Sequence, residues 1–257
     1  MFHVKLIYYY TLQCGMGKLN VPQVLAVMAV AVVAVVVMNV AYASSKPQII
    51  QAIPGTLIYT PGAPNYNPYA PSNIVGSIAT WVPLAFYNPF TGVFYPVLAK
   101  NWTIQVFPNG SALFTIYLRH NIYWFNGSAV MPFTAWDVYT YFYIGMKAFY
   151  WYTPWINSSL VDEDVRVLNN YTIQFLFQKW TPFIPAWMLT SWISTPYAVW
   201  KPIVDKLKTM NLTQAVEYST NITKFVPPYW GLSPYYLTYL SSTYIDITLE
   251  PMYYNGV

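Results

Sequence analysis

FTIYLRHNIYWFNGSAVMPFTAWDV, residues Phe114–Val138, decides how the rest of the chain is read. Phe114, Ile116 and Leu118 alternate with Thr115 and Tyr117, the period of two that gives a strand one buried face. Asn126-Gly127 follows Tyr123-Trp124-Phe125 and marks a turn, because Asn and Gly both tolerate positive φ. Thr134-Ala135-Trp136-Asp137 has the form of a capping box, with a hydroxyl at the N-cap and an acid at N3. Beyond it Val138, Phe142 and Met146 recur at i, i+4 and i+8, so the spacing predicts a helix over about Ala135–Phe149.

Working outward, Trp102–Phe107 and Ala112–Leu118 read as strands of a hairpin, with Pro108-Asn109-Gly110 as the turn. Further upstream lie a β-rich run, Thr56–Thr60, and a turn-rich loop, Pro61–Pro71. Ser72 can cap a helix beginning near Asn73 and carrying Ile74, Ile78 and Trp81 on one side. Downstream, Val165–Leu168 and Thr172–Phe177 form a second hairpin through Asn169-Asn170. Thr195 as N-cap and Pro196 at N1 open a helix to about Lys208. Pro227-Pro228 breaks the chain, and strands at Tyr235–Tyr239 and Ile245–Glu250 follow. Strands alternating with helices, and hairpins mixed with crossovers, predict an α/β or α+β protein with a mixed β-sheet, of which α/β is the reading taken forward.

Composition narrows the class. Of 257 residues, 56% are hydrophobic and only 8% charged, against about 25% charged in an ordinary soluble domain. Residues 19–43, LNVPQVLAVMAVAVVAVVVMNVAYA, follow Lys18 and end in a small-x-small triplet, Ala41-Tyr42-Ala43. They read as a signal peptide or an N-terminal membrane anchor, a hydrophobic helix either way. Residues 44–55 read as a linker and 56–257 as the folded domain. After the apolar segment stand ten basic and eight acidic residues with no basic cluster, so no nucleic acid is expected as a partner. The single cysteine, Cys14, precedes that segment, which leaves neither disulfides nor thiolate metal sites after it. Sequons at Asn101, Asn109, Asn126, Asn157, Asn170, Asn211 and Asn221 all follow it and suit an exported glycoprotein.

The order of these pieces resembles the family 5 extracellular solute-binding proteins, the oligopeptide-, dipeptide- and nickel-binding components of ABC importers. The most specific stretch is Phe114–Val138, where Leu118, Arg119, Ile122, Trp124, Asn126, Gly127, Pro132, Phe133, Thr134, Ala135, Asp137 and Val138 fall in the family's register. Tyr66-Asn67-Pro68, Tyr87–Gly92 (YNPFTG) and Tyr95–Trp102 (YPVLAKNW) resemble its earlier segments. Gly231–Tyr235 (GLSPY) stands where the family has Gly-Thr-Gly-Pro-Tyr, and Asn121 where it has Gly. The resemblance implies a lobe of a periplasmic-binding-protein-like type II fold, with the second lobe missing. It also implies a protein at the outer face of the cell membrane that binds peptides, or oligosaccharides, and docks on ABC transporter permease subunits. It further implies that the loop after Asn67-Pro68 lines the cleft, giving Ser72, Asn73 and Ile74, and makes Tyr150, Trp151, Tyr152 and Trp155 a candidate aromatic wall. Core packing or a glycan-covered surface is the competing reading for each of these residues.

Catalytic chemistry finds little support. No Ser-His-Asp set, paired carboxylates or Gly-rich phosphate loop occurs, so no enzyme, cofactor or metal site is expected. Asp137 reads as a helix cap and Arg119 as a strand-end surface residue rather than as ligand contacts. His120 reads as a surface residue, and Asp162-Glu163-Asp164 as a solvated turn. A structural surface glycoprotein with a membrane anchor, or a remnant of a binding protein, is the alternative reading.

Overall fold

The computed structural model describes residues 66–71 and 81–233, and the backbone of Tyr235–Leu240 and Ile245–Leu249. All of them belong to one compact unit, Gly55–Val257. The apolar segment 19–43, the run Thr56–Thr60 and residues 72–80 lie outside the described residues.

The chain passes through β1 (Val82–Pro83), β2 (Ala85–Asn88), β3 (Val93–Pro96), β4 (Ala99–Val106), β5 (Ala112–Leu118), β6 (Tyr123–Phe125) and β7 (Val130–Pro132). Helix α1 (Ala135–Phe149) follows, then the short α2 (Val161–Asp164), β8 (Val165–Asn169) and β9 (Thr172–Phe177). Next come α3 (Phe183–Leu189), β10 (Trp192–Ile193), α4 (Tyr197–Lys208), α5 (Leu212–Lys224), β11 (Tyr235–Leu240) and β12 (Ile245–Leu249).

The main sheet has the order β4-β5-β9-β8. The predicted mixed sheet is corrected here: among the described residues every strand pairing is antiparallel. The reason is a split β-α-β unit. Helix α1 carries the chain back so that β8 runs in the same direction as β5. The hairpin partner β9 then inserts between them and pairs with both. A strand-helix-strand pattern in sequence announces the crossover but not the strand that later fills the gap.

Alternation sets the buried face. Phe114 and Ile116 of β5 lie opposite Phe175 and Ile173 of β9, and all four are buried. Helix α1 covers that face: Val138, Phe142 and Met146 are all fully buried, and Phe142 meets Phe175 edge-on at 5.3 Å. Burying each such side chain contributes about 1.5–3 kcal/mol. Helices α4 and α5 pack against α1 as well. Covered from several sides, α1 is buried almost all round, as a central helix must be.

The turns obey their sequence signals. Gly110 and Gly127 have φ of 82° and 98°, and Asn121 adopts φ 61°, the left-handed conformation expected where Asn replaces Gly. The hairpin β2–β3, turning at Asn88–Gly92, was not predicted. Its signal was an Asn whose side-chain oxygen accepts from Phe90 N at 2.9 Å, with Gly92 at φ 70° closing the turn. Helix α5 was missed too, although Asn211 and Gln214 form a reciprocal capping box, each bond 3.0 Å long. Trp81, expected on a helix, is buried in irregular chain just ahead of β1.

Two buried polar clusters tie distant segments together. The Asn67 amide donates to the carbonyls of Ile222 (2.6 Å) and Phe225 (2.9 Å), capping the C-terminal end of α5. Its oxygen accepts from Tyr69 N at 2.9 Å. Elsewhere Lys147, near the end of α1, is buried and pairs with Asp162 at 2.5 Å. Tyr143 donates to the other Asp162 oxygen at 2.6 Å and accepts from Lys147 at 3.1 Å. Asp164 is buried and accepts from Gln178 at 3.0 Å. The acidic triplet is the expected solvated turn only in part: Asp162 and Glu163 are exposed, but a buried ammonium recruits Asp162, and Asp164 is buried against an amide.

Removing one partner of a buried pair costs about 3–5 kcal/mol. The Asp162 side chain is 44% exposed, so water recovers part of that. Asp162→Ala is expected to destabilise the chain by about 2 kcal/mol, read by urea unfolding. A loss under about 0.5 kcal/mol, within the range of an ordinary surface substitution, would mean that the Tyr143 hydroxyl alone satisfies Lys147.

Candidate functional site

Helix α1 ends in a left-handed residue that is not glycine. Tyr150 has φ 55°, and its N–H together with that of Trp151 (3.0 Å) returns to the Gly145 carbonyl. Tyr152 is left-handed as well, at φ 63°. Such conformations cost a bulky side chain about 1 kcal/mol or more, and their clustering points to a segment held in place by its surroundings. The end of β9 supplies some of that hold, with Gln178 N donating to the Trp155 carbonyl at 2.9 Å.

This backbone throws Trp151 back across α1. Its indole lies on Gly145, where an added Cβ would stand 2.0 Å from the ring. The same indole packs against Tyr141 at 5.2 Å and Tyr69 at 5.5 Å between ring centres. Tyr152 and Trp155 follow from the same loop. The facing wall comes from α3 and the residues after it. Trp187 meets Trp155 at 5.0 Å with the rings tilted by 53°, and Phe183 stacks on Trp187 at 6.1 Å.

Tyr141, Trp151, Tyr152, Trp155, Trp187 and Ser191 line a shallow cavity of about 330 Å³ that is open to solvent. Ser191 donates its hydroxyl hydrogen to the Trp187 carbonyl at 2.8 Å. The 3.3 Å contact between the Tyr152 and Ser191 hydroxyls therefore has tyrosine as donor. Burial pushes the Tyr152 phenol up to about 12. Burial raises the Tyr141 phenol further. Both remain protonated at neutral pH, and no lining residue carries a formal charge. Flat aromatic walls with hydroxyl tips suit an uncharged ring or side chain better than an ion.

Trp151, Tyr152 and Trp155, singled out in the sequence, come together at this cavity. Tyr150 does not line it; its role is the left-handed cap, and its side chain is half exposed. Ser72, Asn73 and Ile74 lie outside the described residues. Tyr141, Trp187 and Ser191 were missed. One signal was available for Trp187: Thr181-Pro182 precedes α3 as Thr195-Pro196 precedes α4.

The other candidates resolve structurally. His120 is exposed and stacks on Tyr171 at 4.0 Å, beside a cavity of about 420 Å³ that also takes in Lys100, Tyr117 and Asn169. Arg119 is exposed and reaches the Pro96 carbonyl at 3.3 Å. Asp137 is only 3% exposed. Its carboxylate accepts from Thr134 N at 2.6 Å, at the start of α1, and from Tyr197 N at 2.6 Å, at the start of α4. Thr195 is thus not the cap of α4, which begins one residue later than predicted with Pro196 in the N-cap position. Its hydroxyl donates instead to the Asp137 carbonyl at 3.2 Å. Among the described residues no group of His, Cys, Asp and Glu is placed to hold a metal ion. Among them, too, no helix is long and apolar enough to cross a membrane.

No protein-family model and no curated protein matches the chain. Solved structures of peptide-binding components of ABC importers do match. The periplasmic binding protein DppA of Helicobacter pylori, in complex with the peptide STSA, is 18% identical with a TM-score of 0.46, over 74% of this chain and 38% of its own. A periplasmic oligopeptide-binding protein of Thermotoga maritima, bound to mannohexaose, is 22% identical with a TM-score of 0.45, over 73% and 31%. The oligopeptide-binding protein AppA of Bacillus subtilis, in complex with a nonapeptide, is 15% identical with a TM-score of 0.48, over 72% and 33%. The chain therefore spans about a third of the length of the proteins it matches.

Proposed function

We infer that this chain forms part of a solute-binding protein that holds a passing nutrient outside the cell membrane and hands it to an ABC importer. The observation that carries the reading is the uncharged aromatic cavity. Trp151, Trp155 and Trp187 converge there with two phenols and a serine hydroxyl, and no group suited to covalent chemistry accompanies them. Export rests on the apolar segment 19–43, and docking on permease subunits rests on the family resemblance of Phe114–Val138.

Peptides are the first cargo to test and oligosaccharides the second. The absence of charge limits what the cavity itself takes. A peptide's ammonium and carboxylate would find no partner here, so an apolar side chain or a pyranose face occupies it while charged ends stay in water. Stacking on such walls is worth about 0.5–1.5 kcal/mol per ring beyond the area buried.

The test is a thermal-shift and tryptophan-fluorescence screen with tripeptides of differing side chains and with neutral oligosaccharides. A true ligand at a hundred times its Kd stabilises the fold by about 2.7 kcal/mol, a rise of roughly 5–10 °C for a chain of this size. Trp187→Ala is expected to weaken that ligand about tenfold or more, through an exposed residue whose removal leaves the fold standing. If no compound shifts the transition, or if Trp187→Ala leaves the affinity untouched, the cavity is not a solute site and the structural surface-protein reading takes its place.

A further inference from the structure

We propose that Asn126 is an acceptor for an N-linked glycan, selected among the sequons by the turn in which it stands. The proposal rests on the chain leaving the cytoplasm and is independent of what the aromatic cavity binds.

Asn126-Gly127-Ser128 forms the tip between β6 and β7. The Asn126 side-chain oxygen accepts from Ser128 N at 3.1 Å, from the Ser128 hydroxyl at 3.2 Å and from Ala129 N at 2.8 Å. Gly127, at φ 98°, makes the reversal possible, and Gly127, Ser128 and Ala129 are all exposed. Three donors on one oxygen fix the orientation of the amide and leave its nitrogen pointing away from them. No hydrogen bond engages the amide nitrogen among the described residues. Nucleophile and recognition hydroxyl are thus presented together, at a surface tip.

The other six sequons differ in ways that matter. Asn170 is also exposed, in the turn between β8 and β9, but among the described residues its side-chain oxygen receives neither the N–H nor the hydroxyl of Thr172, and the bond that closes this turn, from Tyr171 N at 2.9 Å, goes to Asn169. Asn109 makes the same bonds to Ser111, at 3.1 and 2.7 Å, but Ser111 is buried. Asn101 lies within β4, and Asn221 within the body of α5. Asn211 spends its oxygen on Gln214 N rather than on the residue two positions on. Asn157 receives Ser159 N at 3.0 Å without a hydroxyl bond.

The glycosyl donor is a lipid-diphosphate-linked oligosaccharide, used by an oligosaccharyltransferase. The Asn126 Nδ2 attacks C1 of the first sugar and an N–C bond forms. The C1–O bond to the lipid diphosphate breaks, the diphosphate leaves with the electron pair, and the Nδ2 proton passes to the transferase.

The experiment offers the full chain, folded or unfolded in urea and diluted immediately before the reaction, to a transferase that needs only Asn-x-Ser/Thr, with its lipid-linked donor. Glycopeptides are then mapped by mass spectrometry. The unfolded chain reports that the enzyme takes these sequons. The folded chain is expected to carry sugar at Asn126, with occupancy at Asn109 and Asn221 at least several-fold lower. Ser128→Ala is expected to abolish the Asn126 glycopeptide, and Ser128→Thr to keep it. A folded chain left bare at Asn126 while its unfolded form is modified there overturns the proposal. So does equal occupancy at Asn221, which would show that the turn selects nothing.

Discussion

Gly145→Ala is expected to destabilise the chain by about 2–3 kcal/mol and to dismantle the aromatic cavity at the same time. The added methyl would stand 2.0–2.5 Å from three atoms of the Trp151 indole. That indole has nowhere near to go, being flanked by Tyr141 and Tyr69. The backbone of Tyr150 and Trp151 is also pinned to the Gly145 carbonyl, so the loop and the ring must move together. For a chain of this size the loss lowers Tm by roughly 5–10 °C. Pairing the substitution with Trp151→Gly tests the cause. If the clash is the mechanism, the double variant is no less stable than Trp151→Gly alone. A Gly145→Ala protein with unchanged Tm would show that the indole is not seated on the helix as described.

Asp137→Ala is expected to be costlier, about 3–4 kcal/mol at neutral pH. It leaves two partly buried N–H groups at helix N-termini, of Thr134 and Tyr197, without an acceptor, at about 1–3 kcal/mol each. The same carboxyl sets a pH dependence. Burial raises it from 3.8 to about 6, against the opposing pull of the Tyr197 and Thr134 N–H bonds. The Trp124 indole pulls it down too, although no hydrogen bond of ordinary geometry joins them. The unfolded chain gives up this proton near the ordinary value, while the folded chain keeps it until about pH 6. Unfolding therefore releases a proton between those limits. Stability is greatest below them and falls as pH rises, by about 1.4 kcal/mol per unit and roughly 3 kcal/mol in all, then levels off. Asp164, raised by burial, acts in the same direction. Urea unfolding from pH 4 to 7 should show the decline, and Asp137→Asn should flatten most of it. A wild-type profile that rises with pH would refute this account of the site.

Local structure was legible wherever the chemistry was local. The capping box at Thr134, the Asn-Gly turns and the alternation in β5 each depend on residues within a few positions of one another. Their elements fall within three residues of expectation, and α1 spans Ala135–Phe149 as predicted. What failed was non-local. Nothing near Val165 or Thr172 says that β9 slides between β5 and β8. Nothing near Thr195 reveals that the cap of α4 is borrowed from Asp137, 60 positions away from Tyr197. The site divides in the same way. Trp151, Tyr152 and Trp155 stand out as a run, whereas Trp187 and Ser191 belong to the wall only because the chain returns there. The requirement for Gly145 was invisible, since it comes from a ring folding back across the helix.

The Asn67 clasp on α5 joins positions 155 and 158 residues apart. At a translation speed of about 5–20 residues per second, roughly 10–30 s separate the emergence of the amide from that of its acceptors. Throughout that interval water alone can answer it. The segment around Asn67 is thus fastened in two stages: Tyr69 can dock on the central helix, through the Tyr141 carbonyl at 2.8 Å, long before Asn67 finds the end of α5.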